Sequence, residues 1–310
     1  MRAYRRVWSM RQMRSLVVVV GWLAVGCGGQ PASVLFEPGE KVVGRARDPY
    51  RVRLLTTSRR LVTVHLSDLS TTSNGLVGFK TEDAPWGLAV SDGGWWTLVG
   101  ASQLAQMDDD GHLEDRVLLG GSYVGLFGVG EVLFLQPATP ALGAAVLQRP
   151  NLETMGRENA GALRASSFAT RAETLAFNLV ACGSTEAAEL PCWFNHGLKV
   201  DRIGSAGDGR IQVISGIELA PDTRQGLERL ETSGPIVDAH VDERGRLWVL
   251  LRRSTGPSGD EEESVLARYG DDELEGVATV PSLSRLIIDV RGDDCVLLVG
   301  SGQFSRVGIP

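Results

Sequence analysis

Residues 85–119, PWGLAVSDGGWWTLVGASQLAQMDDDGHLEDRVLL, decide the fold. Apolar runs of four to six residues alternate with Asp/Gly turns, and none is long enough for a helix, so the stretch predicts three or four short consecutive strands. The same phrase returns at residues 236–280 as IVDAHV, DERG, RLWVLL, a polar loop, SVLARYG, DDELEG and VATV. A four-stranded unit of roughly 40–45 residues that recurs is the signature of propeller blades. The expected class is therefore all-β, a β-propeller preceded by an N-terminal signal segment. Six blades fit the spacing best, with five or seven compatible with it.

Second strands carry the argument against a sandwich with one wet face. WWTLV (95–99), VLFLQ (132–136), TLAFNLV (174–180), LWVLL (247–251) and CVLLV (295–299) are apolar without alternation. Strands covered on both faces by neighbouring blades require that pattern, whereas a half-wetted sheet alternates. The balance of 43% apolar and 22% charged residues suits a packed domain. Ring closure is expected from the ends of the chain, with residues 34–43 completing a last sheet formed by residues 286–290, 295–299 and 304–307. Residues 205–234 read as an insertion on the fourth blade.

Residues 1–26 are set apart from the fold. Arg2, Arg5, Arg6, Arg11 and Arg14 form a basic n-region, residues 16–25 an apolar core, and Gly26–Cys27 the end of a secretory signal. About ten apolar residues fall short of the roughly 20 that cross a bilayer. Leu23-Ala24-Val25-Gly26-Cys27 resembles the bacterial lipobox, with Ala24 where that motif prefers Leu. The resemblance implies that Cys27 becomes the lipidated first residue, that residues 27–33 form a flexible tether, and that residues 34–310 are the propeller domain. By the same resemblance, Gly28 after the cysteine, with no Asp, implies anchoring in the outer rather than the inner membrane of the cell envelope.

Removing the five arginines of the signal from the 31 basic residues leaves 26 against 38 acidic ones, a formal charge of −12. A surface of that sign repels nucleic acid, which needs clustered Lys and Arg. The partners expected are instead the membrane, through the lipid, and an envelope protein, peptide or glycan, met by a monomer. Cys182 and Cys192 lie ten residues apart between strand-like runs, and an exported chain can pair them in a disulfide; two buried thiols are the alternative. Cys295 reads as core.

The turns SDGGWW and DERGRLW resemble the blade hairpins of NHL-type and streptogramin-lyase-like six-bladed propellers. Asp92 and Asp242 are expected to cap these hairpins beside Gly94 and Gly245. Lyase-like relatives place histidines and acids with a metal ion near the central channel, which makes a metal-dependent enzyme of lyase or lactonase type the alternative function. The favoured function is a non-catalytic binding or scaffold propeller that contacts its partner through loops at one face. No serine elbow, phosphate loop or zinc spacing occurs, so no cofactor, metal site or catalytic set is expected. The turn Asp108–Gly111 could hold calcium, but the EF-hand pattern is absent. First strands supply the candidate channel or binding residues. Trp86 and Tyr123 are expected at one channel mouth, Asp238 and His240 on one strand face two residues apart, and Arg285 and Asp289 in the sixth blade.

Overall fold

The computed structural model describes residues 35–310 apart from 92–93, 153, 155, 169, 195, 218–234, 256–260 and 301. Cys27, the signal, the tether, Asp92 and most of the acidic loop 256–263 lie outside the described residues. Six antiparallel sheets follow one another along the chain. Their first strands are Val42–Arg47, Pro85–Ser91, Tyr123–Val129, Val180–Cys182, Ile236–Val241 and Ser284–Arg291. The first five sheets each run on through three further strands, and the sixth has three strands in all among the described residues.

Closure into a ring is visible in the core. Leu55, Leu88 and Trp95 fill the seam between blades 1 and 2, and Leu98, Tyr123 and Leu135 that between 2 and 3. Phe134, Leu147 and Ile203 follow between 3 and 4, then Trp193, Val241 and Tyr269 between 4 and 5. Trp248, Ile287 and Leu297 pack between 5 and 6, and Leu54, Val64 and Ile288 join blade 6 back to blade 1. The chain is a six-bladed β-propeller. The second strands of blades 2, 3, 5 and 6 hold the expected apolar runs, because each lies between two such seams.

Several details depart from the sequence expectation. Of residues 34–43, expected to complete the last sheet, Val42 and Val43 instead open the innermost strand of blade 1, Val42–Arg47, which pairs with Arg51–Thr56. Leu35 and Phe36 do reach blade 6, but as side chains packed into its seam with blade 1 and not as a paired strand. The ring therefore closes by packing and by the side chains of Arg45 and Arg47, which donate to the carbonyls of Ile287 (3.2 Å) and Ile288 (2.6 Å). Thr174–Phe177 is not strand. It belongs to a helix, Arg171–Phe177, started by a capping box in which Thr170 and Glu173 exchange side-chain-to-backbone hydrogen bonds. Blade 4 consequently takes Glu189–Phe194 as its second strand. Within 205–234, residues Gly209–Val213 form the outer strand of that blade.

Cys182 and Cys192 face each other across the first two strands of blade 4 and are bonded. Closing so short a loop removes unfolded-state freedom, which the chain-entropy model values at about 2–3 kcal/mol. A Cys182→Ser/Cys192→Ser protein is expected to lose that much in denaturant unfolding, and an unchanged midpoint would show that the bond stabilises nothing.

One surface of the ring carries the turns between first and second and between third and fourth strands. The opposite surface carries the turns between second and third strands and the connections between blades. They are called here the hairpin face and the connection face.

Candidate functional site

A cavity of about 850 Å3 runs through the middle of the ring and is lined by first-strand residues of all six blades. The backbones of neighbouring first strands come close enough to exclude side chains at some points. A Cβ on Gly44 would lie 2.5 Å from the carbonyl carbon of Gly87, and one on Gly183 would lie 1.8 Å from the oxygen of Ala239. After Gly183 the chain leaves the sheet of blade 4, and Ser184–Thr185 pairs in parallel with the first strand of blade 5 at His240 and Val241. This crossing delivers Glu186 to the cavity wall.

The wall is built from arginine–carboxylate pairs. Arg45 grips Asp238 with both terminal nitrogens, at 2.5 and 2.6 Å, and Asp238 also accepts the backbone N–H of Ile287 at 2.6 Å. Arg47 bonds Glu186 and, at 2.8 Å, Asp289. Arg291 donates to the other oxygen of Asp289 at 2.8 Å and reaches the carbonyl of Leu66 in blade 1. Three arginines thus meet three acids, with Asp48 and Glu243 at the rim on the hairpin face.

His240 lies fully buried behind this wall. Its Nδ1 is 2.9 Å from the Ser184 hydroxyl, and its Nε2 is 3.6 Å from Glu186, beyond hydrogen-bond reach. Burial pushes the imidazole below its ordinary value, and the positive charges of Arg47 and Arg45 add to that against the pull of Glu186, so the ring is neutral at pH 7. Burial would raise the Glu186 carboxyl, but its ion pair with the Arg47 guanidinium outweighs that and holds the group below the usual range. Cys295 is core, as expected. Its thiol is pushed well up by burial and then by the charges of Asp238 and Asp289.

Of the residues picked from the sequence, Asp238 and Asp289 line the cavity and share the arginine lattice, and His240 stands one layer behind them. Trp86 and Tyr123 are not at the channel mouth. Trp86 donates to the Gly100 carbonyl at 3.0 Å and packs at the seam of blades 2 and 3. Tyr123 is buried in the same seam with Arg157 over its ring, and neither aromatic is among the cavity-lining residues. Each opens its first strand, so the inter-blade seam takes the side chain before the strand reaches the cavity. Arg285, second in the strand Ser284–Arg291, is exposed and is not among the cavity-lining residues.

Arg45, Arg47, Ser184, Glu186 and Arg291 were not among those residues. Period-two alternation in Val43-Gly44-Arg45-Ala46-Arg47, between a Pro-Gly turn and Asp48-Pro49, could have marked the two arginines as one face of a strand. Nothing local in STEAAE signals that Ser184–Glu186 crosses to another blade. The cluster Asp108, Asp110 and His112 sits at a hairpin tip of blade 2. The Asp108 carboxylate there already accepts from the backbone N–H groups of Asp110 and His112 and from the His112 ring.

No family model and no curated protein matches this sequence. Solved structures similar to it include a streptogramin B lyase, 11% identical over 91% of this chain and 95% of that one, with a TM-score of 0.49. YCF48 bound to D1 peptide is 10% identical over 86% of this chain and 78% of that one, at 0.48. BamB from Moraxella catarrhalis is 9% identical over 86% and 82%, at 0.38. Function is therefore argued from this chain's own residues.

Proposed function

We propose that the chain is an exported, lipid-anchored binding propeller that holds a protein or peptide partner at the hairpin face, over the mouth of the central cavity. The observation that supports it is the arginine lattice. A general base, a nucleophile or a metal ligand needs a carboxylate free to change its partner, whereas Asp238, Asp289 and Glu186 are each held by arginine. The lyase or lactonase alternative draws on these same groups. A wall of matched charges on first strands is instead a rigid, polar floor, and rigid presentation limits the entropy lost on association. The rim supplies the contact surface: Asp48 and Glu243 carry charge, and Tyr50, at the first turn of blade 1, is 80% exposed. An exposed aromatic beside a polar rim is the kind of anchor that protein interfaces use.

A photo-crosslinking amino acid at position 50 or 243, introduced in cells, is expected to trap a discrete protein adduct, and one at Val277 on the outer edge to trap none. His240→Ala is expected to keep the adduct. Absence of any adduct at the mouth would overturn the proposal.

Anchoring at Cys27 in the outer membrane of the cell envelope follows from the lipobox resemblance and from Gly28. Stable attachment takes two acyl chains or their equivalent. Cys27→Ser is expected to abolish acyl labelling and to move the protein into the soluble fraction. Retention of both label and sedimentation would end the lipoprotein reading.

A further inference from the structure

We infer that the connection face is a membrane-facing surface, whose apolar loops rest in the interfacial zone of the bilayer while the cavity mouth points away from it. This rests on the anchoring of Cys27 proposed above. Three observations lead to it.

The first is where the chain enters. The carbonyl of Leu35 accepts from Arg60 at the start of the third strand of blade 1. Its side chain lies against Gly302, in the turn between second and third strands of blade 6. Both contacts are on the connection face. From Cys27 to Leu35 the backbone spans at most ~27 Å, so an acylated Cys27 keeps this face close to the lipid.

The second is the distribution of exposed apolar side chains. Leu142, 64% exposed, tops the second turn of blade 3, and Leu283, 60% exposed, lies in the connection from blade 5 to blade 6. Leu175 and Leu179 project from the helix and its exit in the connection from blade 3 to blade 4, and the helix buries none of its residues. Leu118 ends the outer strand of blade 2, opposite Gln103, at the same face. On the hairpin face, among the described residues, the large hydrophobic side chains so exposed are Tyr50, at 80%, and Val77, at 51%, which is bridged to His112 in the blade 2 hairpin tip. Leucines on protruding loops gain by entering the headgroup and acyl boundary, as the apolar faces of interfacial helices do.

The third is lysine. The chain has three, Lys41, Lys80 and Lys199, all exposed and all at this face: before the first strand of blade 1, in the connection to blade 2, and at the start of the third strand of blade 4. Long cationic side chains sit well at headgroup level, their stems in the apolar layer. The third strand of blade 5 opens at this face with Glu261, Glu262 and Glu263, so apolar insertion, not net charge, drives the contact. Zwitterionic lipid suffices for it.

The test uses the full chain, acylated and reconstituted into phosphatidylcholine vesicles, with single variants Leu142→Cys, Leu175→Cys, Leu283→Cys and Tyr50→Cys carrying an environment-sensitive fluorophore. The four positions are exposed, so labelling leaves the fold intact. Cys295 is buried, and Cys182 and Cys192 are bonded. Probes at 142, 175 and 283 are expected to shift to the blue and to lose most of their emission when brominated phosphatidylcholine replaces the ordinary lipid, while the probe at 50 is unaffected. Silence at all three leucine positions, or equal quenching at 50, overturns the orientation. Acyl labelling of Cys27 in the same preparations reports separately whether the anchor itself failed.

Discussion

Replacing Trp248 by alanine is expected to cost about 3–5 kcal/mol of unfolding free energy, the range seen when a buried aromatic is truncated. Trp248 has no exposed surface and packs in the seam of blades 5 and 6 with Leu250, Ile287 and Leu297. Its indole N–H donates to Asp242 at 3.0 Å, and the Arg246 and Arg268 guanidinium groups lie near the ring. The alanine variant therefore leaves a cavity in the seam and removes one donor from Asp242, which keeps the Arg246 guanidinium and two backbone N–H groups. Trp96 takes the corresponding place toward the following blade, in the seam of blades 2 and 3, and is 6% exposed. Trp96→Ala belongs in the same range. Trp248→Phe keeps most of the volume and is expected to recover the larger part of the loss. Denaturant unfolding measures all three, and a cost below about 1 kcal/mol for either alanine variant would mean that its seam repacks around the gap.

Breaking the Arg45–Asp238 pair is expected to cost as much, about 3–5 kcal/mol for either single change, because the surviving charge stays buried without its counter-ion. The side chains of Arg45 and Asp238 are 7% and 2% exposed. Asp238 also holds the Ile287 N–H, and Arg45 reaches the Ile287 carbonyl, so the pair ties blade 1 to blades 5 and 6 where the ring closes. Arg45→Met/Asp238→Leu removes both charges together and is expected to cost far less than the two single changes summed. Strict additivity in that cycle would show that the two groups act independently, against their bidentate geometry. The same variants separate structure from binding: a protein that unfolds earlier but still crosslinks its partner at position 50 uses the lattice as a frame.

Much of the architecture could be read from the chain because its determinants are local. Second strands buried on both faces must be apolar at every position, and Asp/Gly turns mark where they end, so WWTLV, VLFLQ, LWVLL and CVLLV announced four blades. The disulfide was legible as one of two options, since only ten residues separate its cysteines, although the chain between them visits blade 5 at Ser184–Thr185 before it returns. TLAFNLV misled, because an apolar run of that length is shared by buried strands and short helices, and the capping box at Thr170 and Glu173 decided for helix.

The sequence by itself thus determined the blade repeat and the apolar core strands, and offered Asp238 and Asp289 as inward-facing candidates and Cys182 and Cys192 as a possible pair, whose bond the structure decided. Only the tertiary structure decided what those acids do. Arg45 and Arg47 are some 190 and 240 residues away in the chain from their partners Asp238 and Asp289, and no periodicity records which strands a closed ring will place side by side. Trp86 and Tyr123 went to a seam, and Ser184–Glu186 crossed to a neighbouring sheet, because the close approach of six first strands leaves the cavity only to residues whose side chains the adjacent backbone does not displace.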